Sequence, residues 1–372
     1  MSLQPRPQIA NLKTCPHGGI DYAELKALGM APEAVIDFSV SSNPFMPPLS
    51  IGKALSRVAI DKYPDSAATE FIYRLSQRLG TPPENILAGS GSTELIQLIS
   101  LTYFRPGDPV LILEPTYGEY AGACRLVGAE PIRHWTGAED NFMLQVSGVI
   151  ASIQRVRPRG VFICNPNNPT GHYFSREDIA AILEAVGEGL LILDEAYVAF
   201  VAANWSSLDL INRGNVIILR SMTKDYGLAG LRLGYAVTGG EISRNLRRAR
   251  LPWNVNAIAQ KAGVMVLDKA DYLEQSLEKV REAGEFLVDG LSALGLHLLP
   301  SSAHFFLVKV GDAPAFRAAL LGYGIMVRDC TSFGLPEYVR IAPRTMTECQ
   351  QLIAAIKAMK DKGETDVFSQ HR

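Results

Sequence analysis

From about residue 50 to 250 the chain alternates short, β-branched apolar runs with amphipathic stretches of helical period, and few architectures accept that alternation. Val161-Phe162-Ile163-Cys164, Leu190-Leu191-Ile192-Leu193 and Val216-Ile217-Ile218-Leu219 offer no polar face. Each run must therefore be buried on both sides. Strands of that kind, joined by helices, form a mostly parallel sheet covered on both faces, which is the α/β class. At 372 residues the chain is too long for one core. The pattern divides it into an N-terminal arm and helix over 1–48, with the helix at Tyr22 to Leu28, and a large domain over 49–252. A linking helix over 253–291 leads to a smaller α+β C-terminal domain over 292–372. That last domain should hold strands at Phe305-Phe306-Leu307-Val308 and Tyr338-Val339-Arg340-Ile341, and a helix capped by Thr347-Glu348-Cys349-Gln350. Ser175-Arg176-Glu177-Asp178 reads as a capping box, the basic run Arg244 to Arg250 as a solvated helix face, and the tail from Asp361 as frayed.

Charge and cysteine usage exclude several function classes. A formal net charge of -2 gives no footing for nucleic acid or an acidic membrane. Five cysteines, at 15, 124, 164, 330 and 349, form no CxxC pair and point to free thiols in a reducing compartment. The six histidines show no metal-ligand spacing, so no metal is expected. There is no signal peptide and no apolar run long enough to span a bilayer, and a cytoplasmic location is expected.

Four segments at or just after predicted strands carry the chemistry. In Ser221-Met222-Thr223-Lys224-Asp225-Tyr226-Gly227-Leu228-Ala229-Gly230-Leu231-Arg232-Leu233-Gly234, a lysine at a strand end is accompanied by hydroxyls, glycines and an arginine. That set suits a lysine that condenses with an aldehyde while its neighbours grip a phosphate, and pyridoxal 5'-phosphate (PLP) is both. Such a cofactor draws electrons only while its ring nitrogen stays protonated, which calls for a buried carboxylate. Asp194, ending an apolar strand before Glu195-Ala196-Tyr197, supplies it, and Tyr197 can reach the ring hydroxyl. Asn168, in Asn165-Pro166-Asn167-Asn168-Pro169-Thr170-Gly171, can donate to the same oxygen. Gly89-Ser90-Gly91-Ser92-Thr93-Glu94 opens an apolar helix whose free N–H groups suit a phosphate.

Together these segments resemble the fold-type I, PLP-dependent aminotransferase superfamily, class I/II branch, from about His17 to the last helix. The resemblance implies a seven-stranded, mostly parallel sheet and the cofactor PLP. It also implies Lys224 as the lysine bonded to the cofactor, Asp194 as partner of the ring nitrogen, and Asn168 and Tyr197 as ligands of the ring oxygen. Tyr117, in Pro115-Thr116-Tyr117-Gly118-Glu119-Tyr120, resembles the aromatic stacked on the ring. Gly91, Ser92, Thr93, Ser221, Thr223 and Arg232 look like the phosphate cup. Tyr63 resembles the tyrosine that reaches the neighbouring subunit's phosphate, which implies a homodimer with shared sites.

On the substrate side, several arginines near the C-terminus suggest a small molecule with two anionic groups. Arg340 and Arg344 share strand parity, and Arg328 lies in Val327-Arg328-Asp329-Cys330. His17-Gly18-Gly19, Pro252-Trp253-Asn254-Val255-Asn256, Arg328-Asp329-Cys330 with Phe333-Gly334-Leu335, and Ile341-Ala342-Pro343-Arg344 look more like the threonine-phosphate decarboxylase branch than the histidinol-phosphate aminotransferase branch. By that analogy His17, Arg328 and Arg340 hold phosphate and carboxylate, with Asn168 and Arg344 alongside. The leading expectation is thus a decarboxylase of the cobalamin pathway, with an aminotransferase as the alternative. A non-catalytic PLP-binding regulator is disfavoured, because Lys224 is present and no basic helix-turn-helix precedes the domain. Ile20, Ser41-Ser42 and His304 depart from the usual pattern of these branches, all on the substrate side.

Overall fold

Residues 3–362 are described by a computed structural model, apart from Asn11, Lys13, Met46 and Pro48. The apolar runs pair as their composition requires. A seven-stranded sheet runs, edge to edge, Ile86–Gly89, Gly234–Thr238, Val216–Ser221, Leu190–Asp194, Gly160–Cys164, Pro109–Glu114 and Glu130–Trp135. All run parallel except Gly234–Thr238, which is antiparallel to both neighbours. Successive residues of each inner strand enter opposite cores. Val161, Ile163, Leu191 and Ile218 belong to one cluster, and Phe162, Ile192 and Ile217 to the other. This two-faced burial is why the runs lack polar alternation.

The register decides where the chemistry sits. Cys164 lies opposite Asp194, and Asp194 opposite Leu219, so the carboxyl ends of three neighbouring strands finish side by side. The loops bearing Asn168, Tyr197 and Lys224 leave from that common edge, where open parallel sheets bind ligands.

The C-terminal part holds a four-stranded antiparallel sheet in the order Arg328–Asp329, Tyr338–Ile341, Phe306–Lys309, His297–Leu298. The N-terminal segment is woven into it. Ile36–Asp37 pairs in parallel with Ile325–Met326. Phe38, fully buried, joins the core of that unit, and Arg317 grips Glu24 with two hydrogen bonds of 2.7 and 2.6 Å.

Three local expectations change. The linking helix expected over 253–291 is two helices, Ala257–Leu267 and Ala270–Ala293, because Lys269 leaves helical geometry at φ -116, ψ 58 without any Gly or Pro to announce it. The last helix, Met346–Asp361, is capped by Thr345 with Glu348, two residues earlier than expected. The basic run is not simply solvated: Arg247 donates to the carbonyls of Pro83 and Ile86, and Arg250 to that of Ser66. The Ser175–Asp178 capping box forms as read, and the tail beyond Lys362 lies outside the described residues.

Candidate active site

Ser92, Thr93, Tyr117, Asn168, Asp194, Tyr197, Ser221, Thr223, Lys224 and Arg232 line one pocket at the strand edge. A larger cavity, between residues 199–203 and the Ala270–Ala293 helix, carries none of the expected site residues.

Asp194 ends its strand and is buried. Tyr120 Oη donates to its Oδ2 at 2.8 Å, and the Ala196 N–H donates to Oδ1 at 3.1 Å. Burial pushes the carboxyl up to about 6, while the Tyr120 hydrogen bond pulls it back. No cationic side chain among the described residues is ion-paired with it. A buried carboxylate held in place outside any ion pair is a seat for a cation on a ligand.

Lys224 faces the same space. Burial, reinforced by the charges of Arg340 and Arg232, lowers its amine to about 8, so the nucleophilic free base is accessible near neutrality. Its Nζ stands 5.7 Å from the Tyr197 ring centre, and the Asn43 N–H holds its carbonyl at 2.8 Å. Asn165 and Asn167 of the neighbouring loop are occupied structurally, Asn165 with the Phe174 backbone and Asn167 with Thr116, Pro115 and Thr170. Asn168 alone turns toward the pocket. Its Oδ1 accepts from Arg340 Nη1, which orients the amide so that its nitrogen is the donor it has to offer.

The residues expected to form a phosphate cup are brought together. The helix Gly91–Tyr103 starts with no side chain capping its first turn. Glu94 turns back to the Ser90 N–H and to Asn254. Gly91 has φ +78, and a Cβ there would lie 2.8 Å from the Arg232 guanidinium. The Ser221 and Thr223 hydroxyls are 2.7 Å apart. Helix N–H groups, two hydroxyls and a guanidinium in no ion pair among the described residues suit a dianion. Tyr117, its hydroxyl 3.1 Å from that of Thr93, stands beside the cup.

The substrate-side residues divide. Arg328 and Arg340 face each other directly across antiparallel strands, and both are buried. Arg328 Nη2 donates to Pro16 O at 2.8 Å and to Ser332 Oγ at 2.6 Å. Arg340 Nη2 donates to Ser39 O at 2.6 Å, and its Nε has no hydrogen-bond partner among the described residues. Burial and the Arg340 charge lower the pKa of Arg328. Arg344 is not gathered with them. The strand ends at Ile341, so the shared parity does not extend to residue 344. Arg344 instead binds Glu348 and the Asp37 carbonyl. His17 is half exposed and bonds Glu119 at 2.9 Å. Tyr63 lies outside the pocket, exposed and stacked on Trp253 at 4.5 Å.

Sequence reading missed Tyr120, Glu119 and Asn254. Tyr120 sits one helical turn after Tyr117, and its spacing from a tyrosine already chosen was the available signal. Asn254 lies in a motif that was noted, but its bonds to Glu94 and to the Ala88 carbonyl, which steady the start of the phosphate helix, cross 160 residues.

A small parallel-sheet enzyme site of this kind has known counterparts. Residues 33–356 match the family described as aminotransferase class I and II. A histidinol-phosphate aminotransferase of Symbiobacterium thermophilum is 34% identical over 88% of this chain and 91% of its own. The crystal structure of the histidinol-phosphate aminotransferase from Sinorhizobium meliloti, in complex with pyridoxal-5'-phosphate, superposes with a TM-score of 0.86 at 24% identity, covering 97% of this chain and 99% of that one. The L-threonine-O-3-phosphate decarboxylase from Porphyromonas gingivalis gives 0.75 at 27% identity, covering 87% and 99%. The chain belongs to the aminotransferase class I and II family and is an enzyme of that family. The preference for the decarboxylase branch shifts accordingly: the similarity in sequence is to aminotransferases, and the decarboxylase enters as a structural neighbour.

Proposed function

We propose that the protein is a PLP-dependent aminotransferase acting on a phosphorylated amine of the histidinol phosphate kind. The substrate class rests on one observation. Arg328 and Arg340 are buried directly opposite each other, and neither is ion-paired with a carboxylate among the described residues. Like charges in that register repel, and an anion on the substrate relieves both desolvated guanidiniums at once. Transamination is supported by identity of 34% and 35% to two histidinol-phosphate aminotransferases.

The cofactor is pyridoxal 5'-phosphate. When bound, it supplies an aldehyde for the amine and a ring that withdraws electrons. Lys224 would hold the aldehyde, Asp194 the ring nitrogen, and Asn168 and Tyr197 the ring oxygen, with Tyr117 as the aromatic partner of the ring. Gly91, Ser92, Thr93, Ser221, Thr223 and Arg232 hold the phosphate. Once the substrate amine has taken its place on the aldehyde, the freed Lys224 Nζ is the base that takes the proton from the substrate α-carbon. The enzyme works as a homodimer in which Tyr63 serves the neighbouring site.

A second reading, threonine-phosphate decarboxylation, is favoured by His17-Gly18-Gly19 placed beside Arg328 through Pro16. The two separate in one experiment. Purified holoenzyme is given histidinol phosphate and a 2-oxo acid, and in parallel threonine phosphate alone. Amino transfer without carbon dioxide release is expected. Steady carbon dioxide release from threonine phosphate, with no amino transfer, would overturn it.

A further inference from the structure

We propose that Cys15, His17 and Glu119 form a binding site for a divalent cation of the zinc class, which fastens the N-terminal arm to the loop carrying Tyr117. One ligating atom from each residue lies within 4.8 Å of the other two. His17 Nε2 and Glu119 Oε1 are already 2.9 Å apart. The Cys15 sulfur fits because residue 118 is glycine: a Cβ there would stand 2.4 Å from Sγ.

The donor set chooses the ion. Thiolate, imidazole and carboxylate together suit zinc, whereas magnesium and calcium prefer oxygen alone. Three protein ligands leave a fourth tetrahedral position open. Cys15 is half-buried and His17 exposed, so an ion can reach the site from solvent. The other four cysteines are buried and offer no competing thiol. Sequence spacing hides this set, because 102 residues separate His17 from Glu119.

The location gives the site a consequence. Pro16, between two of the ligands, accepts a hydrogen bond from Arg328, and the His17 ring lies 5.8 Å from that of Tyr117. A bound ion would couple the arm to groups on both the substrate and cofactor sides. His17 is thereby a ligand shared between arm and loop rather than a substrate contact alone.

The test is a cobalt titration of the purified holoenzyme followed by zinc competition. Failure would leave the aminotransferase reading untouched, since no step of it uses the ion. One Co²⁺ per chain is expected, with visible bands of a four-coordinate site at longer wavelength than the cofactor's, and Zn²⁺ should displace it. Cys15→Ser and His17→Gln should each weaken Zn²⁺ binding at least about tenfold while melting at the wild-type temperature. Cobalt spectra unchanged in Cys15→Ser, or zinc affinity unchanged in both variants, would overturn the site. Should one variant melt early, Glu119→Gln decides by the same affinity criterion.

Discussion

At the scale of single residues, two buried titratable groups give distinct pH signatures. Asp194 has its carboxyl pushed up to about 6 by burial. Above that pH it is charged and can offset a protonated ring nitrogen; below it, the charge is gone. Cofactor affinity should therefore fall as pH drops below about 6. Asp194→Asn should bind PLP weakly at every pH and lose this dependence, as measured by equilibrium titration of the cofactor. His304 behaves differently. It is buried and stacked on Phe200 at 3.6 Å, and neither ring nitrogen meets a side-chain partner among the described residues. Burial, then the charges of Arg340 and Lys224, holds its pKa well below 6.5. A histidine depressed in the folded state contributes stability that is present above its unfolded pKa and lost as pH falls through it, at up to ~1.4 kcal/mol per pH unit. Wild type should thus lose more melting temperature between roughly pH 7 and pH 5 than His304→Asn does. Equal losses would show that His304 is not held neutral. The sequence marked His304 as a departure, but the burial of its two ring nitrogens required the surrounding side chains to be in place.

At the scale of elements, the start of the Gly91–Tyr103 helix is the most exacting. Gly91 combines φ +78 with a Cβ position 2.8 Å from Arg232. Gly91→Ala must strain the backbone and push the guanidinium out of the cup. PLP affinity should weaken by about tenfold or more, ~1.4 kcal/mol, measured by cofactor titration, with secondary structure unchanged by circular dichroism. Unaltered affinity would remove Gly91 from the cup. This element was legible because Gly89-Ser90-Gly91-Ser92-Thr93 states a turn followed by a helix start in local residues. The break between Leu267 and Ala270 was not, since Asp268 and Lys269 are ordinary helix residues. The same holds for Arg344, whose guanidinium is claimed by Glu348 one turn on and by the Asp37 carbonyl from far upstream.

At the scale of the molecule, the reading of Tyr63 implies that each site needs two chains. Tyr63 is 80% exposed in the single chain and stacks on Trp253, itself exposed. Lys224→Ala and Tyr63→Ala would then damage different halves of a shared site. Mixed after dissociation and reassociation, they should regain activity that neither has at limiting PLP. No regain would argue for a site complete within one chain. Among the described residues, no helix is long and apolar enough to cross a membrane. By itself the sequence determined the α/β class, the strand-end positions of Lys224, Asp194 and Asn168, and the glycine turn that opens the Gly91–Tyr103 helix, because periodicity and turn chemistry act over a few neighbouring residues. Only the tertiary structure decided that Arg328 stands opposite Arg340, that Tyr120 anchors Asp194, and that Cys15 and His17 meet Glu119. Those contacts join residues far apart in the chain. They depend on strand register and on where the N-terminal segment packs, which no local pattern encodes.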